Sequence, residues 1–208
     1  MTFIDPTQHW ILAHRGLWNT PQEQNTLSSL NNAFSLGFGA ETDIRSCLGS
    51  LVISHDPILS SDNLVHLKMS DQNRFALNLK EDGLFSTLKL HQEEIASSTS
   101  FLFDGSMPQM YTAWKTGFPH ALRISEFERE VPWSSEYLWI DGFETDWWMD
   151  DPLVSSLALK SHCVFVSPEL HGRDYQAAFD WFAEMRSKQL FEFSVCTDHP
   201  EELSGLCD

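Results

Sequence analysis

Three short groups in the first quarter of the chain hold side chains that could do chemistry together: His14-Arg15-Gly16, Glu41-Thr42-Asp43 and His55-Asp56. They supply two imidazoles, which exchange protons near neutral pH, and a Glu-x-Asp pair whose oxygens suit a hard divalent cation. Proton donor, proton acceptor and cation holder make up most of a metal-assisted phosphoryl-transfer site.

The elements that must position these groups are apolar runs. Trp10-Ile11-Leu12-Ala13 leads into His14 and Phe38-Gly39-Ala40 into Glu41, and both read as buried strands. Similar runs follow at Phe75–Lys80, Phe101–Asp104, Ala121–Ile124, Tyr137–Asp141, Cys163–Ser167 and Phe191–Cys196, which makes eight. Helical patterns separate them. Leu27, Leu30 and Phe34 repeat after the helix-opening pair Asn25-Thr26, with Gly37 as a stop, and Leu84, Leu88, His91 and Ile95 form a further stripe. Pro108 and Gly117 bracket Met110, Tyr111 and Trp114. Ser125 and Glu128 have capping-box spacing, which predicts a helix kept short by Pro132, with Glu126–Glu130 as its solvated face. Asp151-Pro152 opens a stretch carrying Leu153, Val154 and Leu157, and Asp174 precedes Ala178, Trp181, Phe182 and Met185 on one face. Residues 58–70 have no clear period and read as a loop.

Strand and helix alternating eight times predict an α/β protein, a single (β/α)8 barrel (TIM barrel) domain over residues 1–208, with short loops and a last helix that is nearly absent. A barrel carries its active groups at the C-terminal ends of its strands. Those ends hold His14, then Glu41 and Asp43, Asn78 and Lys80, Asp104, Arg123 and Asp141, with Glu169 and Asp198 just past the seventh and eighth strands. Side chains two apart on a strand share a face, so Glu41 with Asp43 and Asn78 with Lys80 can each aim a pair into the mouth. An open doubly wound sheet gathers ligands at one crevice and would not explain polar residues on nearly every strand.

A formal charge of -17 argues against nucleic acid or an anionic membrane as partner, while a few cations or a bound metal can still govern the field inside one cleft. The opening Met1-Thr2-Phe3-Ile4-Asp5 lacks the basic and apolar parts of a signal peptide, and no stretch approaches the roughly 20 apolar residues of a membrane span, so a cytoplasmic protein is expected. Cys47, Cys163, Cys196 and Cys207 are scattered without a Cys-x-x-Cys pair, which predicts reduced, packed thiols.

In order and approximate spacing, His14-Arg15-Gly16, Asn25-Thr26, Glu41-x-Asp43 and His55-Asp56, continued by Asn78-Leu79-Lys80, resemble the glycerophosphodiester phosphodiesterase family. That family's fold is a (β/α)8 barrel related to the phosphatidylinositol-specific phospholipases C. The resemblance implies that His14 and His55 are the general acid and base, that Glu41 and Asp43 hold a divalent metal ion, Mg²⁺ or Ca²⁺, and that Arg15 and Lys80 contact the phosphate. The implied substrate is a small soluble phosphodiester, cleaved to an alcohol and a phosphomonoester. If a hydroxyl beside the phosphate attacks first, the product is a cyclic phosphate, and an enzyme that stops there is a cyclising lyase. Asn78, Asp104, Arg123, Asp141 and Glu169 are further candidates for the site.

Three departures from the family pattern are visible. Gln24 stands where the family often has Glu before Asn-Thr, and Asn78 stands where the third strand usually supplies a metal-binding Glu. The stretch after Lys80 is too short for the small insertion that covers the site in many members, which predicts an open pocket. Asn78 and Gln24 motivate a reading from another class, a phosphodiester-binding protein of the same fold without turnover; paired His14 and His55 count against it. The remaining histidines, at 9, 66, 91, 120, 162, 171 and 199, are expected to be structural, and Trp147-Trp148 to pack a loop against a helix.

Overall fold

In the computed structural model, which describes residues 10–207 apart from 63 and 71, each of the eight apolar runs becomes a strand of one sheet. His9 and the opening Met1-Thr2-Phe3-Ile4-Asp5 lie outside the described residues. The strands are β1 (Ile11–Ala13), β2 (Gly39–Cys47), β4 (Phe75–Leu79), β5 (Phe101–Phe103), β6 (Ala121–Ile124), β7 (Tyr137–Ile140), β8 (His162–Val166) and β9 (Phe193–Thr197). All pair in parallel, in the order β5-β4-β2-β1-β9-β8-β7-β6. The ring closes between β5 and β6 through one bridge, Leu102 with His120, where Leu102 N–H donates to Pro119 O at 3.0 Å. The result is the expected (β/α)8 barrel with a thin seam.

One strand is additional to that reading. β2 runs on to Cys47 and folds back as β3 (Ser50–Ile53), antiparallel to it, with Leu48 and Gly49 at positive φ in the turn. This hairpin returns the chain to the barrel mouth, and His55 follows directly. Beyond it, the described residues of 58–70 are irregular apart from a bridge between Val52 and His66.

Period-two alternation divides each strand between two cores. Phe101, Phe103, Tyr137, Trp139, Val164 and Val166 join Leu12, Ala76, Ala121 and Cys196 in the lumen. The rings pair across it, Phe103 on Trp139 at 4.0 Å and Phe101 on Tyr137 at 4.5 Å, so the barrel is a filled solid rather than a pore. Intervening residues such as Leu77, Leu102, Leu138 and Phe165 face outward to the helices.

Those helices are α1 (Leu27–Ser35), α2 (Phe85–Leu88), α3 (Gln92–Ser97), α4 (Met107–Thr116), α5 (Pro152–Ala158), α6 (Gln176–Lys188) and the short closing α7 (Pro200–Gly205). The Leu84-to-Ile95 stripe is one helical path interrupted by a 3₁₀ turn at Lys89–His91; Leu84, Leu88 and Ile95 are buried on it, and His91 faces Glu94. Trp147-Trp148 packs as expected, with Trp148 stacked on Phe182 of α6 at 5.1 Å. No helix among the described residues is long and apolar enough to cross a membrane.

The helix expected after Ser125 does not form. Ser125 Oγ accepts the N–H groups of Phe127 and Glu128, both at 3.2 Å, while Ser125 N–H donates to Glu128 O at 3.0 Å, which closes a tight turn in place of a first helical turn. Nor do the acids of Glu126–Glu130 form a helix face. Glu128 binds Arg123 at 2.5 Å, and Glu126 accepts the backbone N–H groups of Phe143, Glu144 and Thr145. Burial opposes ionisation of Glu126, but those three amides outweigh it and hold the carboxyl below its usual range. Tertiary bonds win here because a short helix with Pro132 at its end has little to gain from propensity alone.

The floor of the barrel carries a polar knot. Arg74 Nη1 donates to Ser194 Oγ at 2.9 Å, and the same hydroxyl lies 2.8 Å from His162 Nε2. Burial, reinforced by the Arg74 charge, pushes the His162 pKa from 6.5 down to about 4. Above pH 6.5 the imidazole is neutral both folded and unfolded. As pH falls from 6.5 towards 4 only the unfolded chain takes the proton, so stability drops, by up to about 3 kcal/mol. Urea unfolding across this window is expected to show His162→Gln with a shallower acid slope than the parent protein; equal slopes would assign the acid sensitivity elsewhere.

Candidate active site

Past β1 the chain turns sharply, with Arg15 and Gly16 both in left-handed backbone at φ 57° and 84°. Gly16 is required: a Cβ there would lie 2.5 Å from the carbonyl carbon of Ser29 at the start of α1. The turn aims Arg15 N–H at Glu41 Oε2, 3.1 Å away, and leaves His14 at the mouth. His14 Nδ1 meets Asp198 Oδ1 at 2.7 Å, and Nε2 lies 3.9 Å from Glu41 Oε2. A carboxylate on Nδ1 fixes the ring and its tautomer, which leaves Nε2 facing Glu41.

Glu41 and Asp43 stand two apart on β2, at 2% and 1% exposure, so each buried charge needs partners. Asp43 has three: Lys80 Nζ lies 3.1 Å from Oδ1, Arg15 Nε 3.2 Å from Oδ2, and Asn25 Nδ2 donates to Oδ2 at 2.7 Å, while Asp43 N–H donates in return to Asn25 Oδ1 at 3.2 Å. Thr42 Oγ1 donates to the same Asn25 oxygen at 2.9 Å. Asn25 can reach the strand because it too adopts a left-handed φ, 55°, which asparagine tolerates better than most residues. Gln24 accepts from Arg15 Nη1 at 3.1 Å and is a neutral anchor for the guanidinium.

The local field follows from this geometry. Burial alone would lower the His14 pKa, but the Asp198 hydrogen bond and the Glu41 and Asp198 charges outweigh it and the net direction is up. Burial raises Glu41 above the usual carboxylate range, against the pull of the His14 and Lys80 charges. Beneath them, burial and the Glu41 and Asp198 carboxylates push the Cys196 thiol far up, which makes it a packing residue.

Asn78 Cα pairs in register with Asp43 on the neighbouring strand. The residue is 8% exposed and its amide oxygen is buried with no hydrogen-bond partner. Together with Glu41 and Asp43 it makes an all-oxygen donor set, which is what a hard cation such as Mg²⁺ or Ca²⁺ takes, so the residues fit such an ion. The set is two carboxylates and an amide, and among the described residues no group of three His, Cys, Asp or Glu side chains could hold a metal.

His55 sits at the rim after β3, its side chain 52% exposed and its Nδ1 2.9 Å from Asp56 Oδ1. Arg45 Nη2 donates to the His55 carbonyl at 2.9 Å, and Ser54 N–H donates to Asp43 O at 3.0 Å, which ties this segment to β2 beside the buried carboxylates. Asp104, Arg123 and Asp141 gather on the opposite arc. Arg123 Nη1 binds Asp104 at 2.9 Å, and Asp141 Oδ1 lies 2.7 Å from His171 Nε2. Glu169 stands between the arcs and braces β9: its Oε1 accepts from Thr197 Oγ1 at 2.5 Å and from Asp198 N–H at 3.0 Å.

Sequence reasoning did not assign three residues that complete the geometry. Asp198 was visible as the acid ending the last strand but has its role only through contact with His14. Asn25 read as a helix opener, whereas Thr26 is the cap and Asn25 is the clamp on Asp43. His171, expected to be structural, forms the Asp141 pair.

No family model matches this chain, and no curated protein matches its sequence. Among solved structures it is similar to the crystal structure of a glycerophosphodiester phosphodiesterase from Agrobacterium tumefaciens, with a TM-score of 0.63 at 14% identity, over 93% of this chain and 98% of that one. The fold is therefore shared along nearly the whole length of both.

The Asn25 clamp gives a stability test. Asn25→Ala leaves Asp43 Oδ2, Thr42 Oγ1 and Asp43 N–H short of a partner, and unsatisfied buried groups cost about 1–3 kcal/mol each. A loss of unfolding free energy of that order, read from urea denaturation, is expected; unchanged stability would show that Lys80 and Arg15 suffice to hold Asp43.

Proposed function

We propose that this chain is a phosphodiesterase that hydrolyses a small, soluble, glycerophosphodiester-like substrate to an alcohol and a phosphomonoester by histidine acid–base catalysis. The observation that carries this reading is an imidazole fixed by Asp198 on Nδ1, with Nε2 directed towards Glu41 in the same cleft as the cations Arg15 and Lys80. The resemblance in the motifs and the shared barrel support it.

Each side chain has a part that follows from its surroundings. His14, whose pKa is raised, holds a proton at Nε2 and delivers it to the departing alkoxide, a poor leaving group without it. His55, at the open rim with Asp56 on its Nδ1, takes the proton of the attacking water. Arg15 and Lys80 orient and neutralise the phosphate oxygens. Glu41, Asp43 and Asn78 would hold a divalent cation, which supplies charge neutralisation for the phosphate. Where the substrate carries a hydroxyl next to the phosphate, the same histidines would serve a cyclic intermediate with their roles exchanged. The four free cysteines fit a cytoplasmic setting.

The test is hydrolysis of bis(p-nitrophenyl) phosphate and a panel of glycerophosphodiesters with Mg²⁺, Ca²⁺, Mn²⁺ or EDTA. His14→Ala is expected to lose about 10²–10⁴-fold in kcat. Phosphorus NMR of the products separates a phosphomonoester from the cyclic phosphate of a lyase. Folded protein that binds the diesters yet turns none over with any cation would overturn the enzyme reading in favour of a binding protein.

A further inference from the structure

Three features of the site concern the same carboxylate. Asp43 has one oxygen held by Lys80 and the other by Arg15 and Asn25, so a cation approaching it meets two positive side chains already in place. The neighbouring donor, Asn78, is neutral and its buried oxygen lacks a partner. The groups positioned to receive a phosphate are the same Lys80 and Arg15.

From these we infer that a divalent cation and the phosphodiester bind this site as one unit, with the phosphate supplying the anionic ligand that Asn78 does not. The inference rests on the reading of the site as a metal-assisted phosphodiesterase. Counted as formal charges, Glu41 and Asp43 balance Arg15 and Lys80, both of which pair with Asp43, so the cluster starts near neutral. A divalent cation alone would take it two charges positive in a largely buried setting, where like charges repel strongly. A diester anion removes one of those charges and gives Lys80 and Arg15 a new partner as the cation claims Asp43. Each ligand thus removes the obstacle to the other, and linkage makes the effect reciprocal. A glutamate at position 78 would start the cluster one charge negative and let the cation bind without help.

The experiment measures Mn²⁺ affinity of the full chain by electron paramagnetic resonance of the free ion, with and without dimethyl phosphate as the diester probe. Mn²⁺ serves because it takes the same oxygen ligands as Mg²⁺ and Ca²⁺. Dimethyl phosphate is expected to tighten Mn²⁺ by about 5–150-fold, and Mn²⁺ to tighten dimethyl phosphate by the same factor, with broadening of its phosphorus resonance. Asn78→Glu is expected to bind Mn²⁺ tightly alone and to lose most of the coupling. Lys80→Met, which frees Asp43 Oδ1, is expected to do so in part and covers the case in which the glutamate disturbs folding, checked by circular dichroism. Equal Mn²⁺ affinity with and without the diester overturns the coupling and leaves the phosphodiesterase reading intact. Absence of Mn²⁺ binding under both conditions overturns both the coupling and the metal requirement, while diester hydrolysis in EDTA would show that the histidine chemistry stands without it.

Discussion

Burying Asp43 is the constraint from which the site is built. A carboxylate at 1% exposure is untenable without compensation, and β2 carries Glu41 two residues earlier on the same face. The left-handed turn that delivers Arg15, the left-handed Asn25 that reaches across from the start of α1, and Lys80 at the end of β4 are three separate elements that converge on that one side chain. Removing any of them leaves part of a buried charge unmatched. The mouth of the barrel is therefore organised by the need to neutralise this one buried charge.

The eight strands were legible because parallel strands buried on both faces read as unbroken apolar runs, such as Phe101-Leu102-Phe103 and Tyr137-Leu138-Trp139-Ile140. The residues of the first arc were legible for a related reason: polar residues closing apolar runs are conspicuous. What the sequence concealed depends on contacts distant along the chain. Asp198 meets His14 across 184 positions, a pairing that no local pattern records. β3 was missed because Leu51-Val52-Ile53 is short and its partner, the extension of β2 through Arg45 and Ser46, is polar. Ser125 and Glu128 do bond as their spacing suggests, but the same bonds serve a turn as readily as a helix, and Arg123 and the 143–145 backbone decide between them.

The mouth divides into two arcs with different electrostatic character. On β1, β2 and β4, two cations face two buried carboxylates and the pairs interlock. On the opposite side, Arg123 lies between Asp104 and Glu128 with its guanidinium 5.5 Å over Phe143, and His171 takes Asp141 while packing against the same ring. Glu169 joins the halves mechanically, since the turn that carries it also carries His171, and its carboxylate braces the strand end that presents Asp198.

The thin seam gives the barrel an uneven rigidity. Between β5 and β6 a single bridge replaces the continuous ladder found between the other neighbours, and the connection that follows β6 has no helix to buttress it. Local opening follows the path that breaks the fewest backbone bonds and exposes the least apolar surface, so breathing of the wall concentrates at this point. The seam lies across the ring from β1, whose strand end holds His14. The wall beside Asp104 and Arg123 is thus the part of the ring tied by the fewest backbone bonds, while the arc that carries His14, Glu41 and Asp43 is held by strand ladders on both sides.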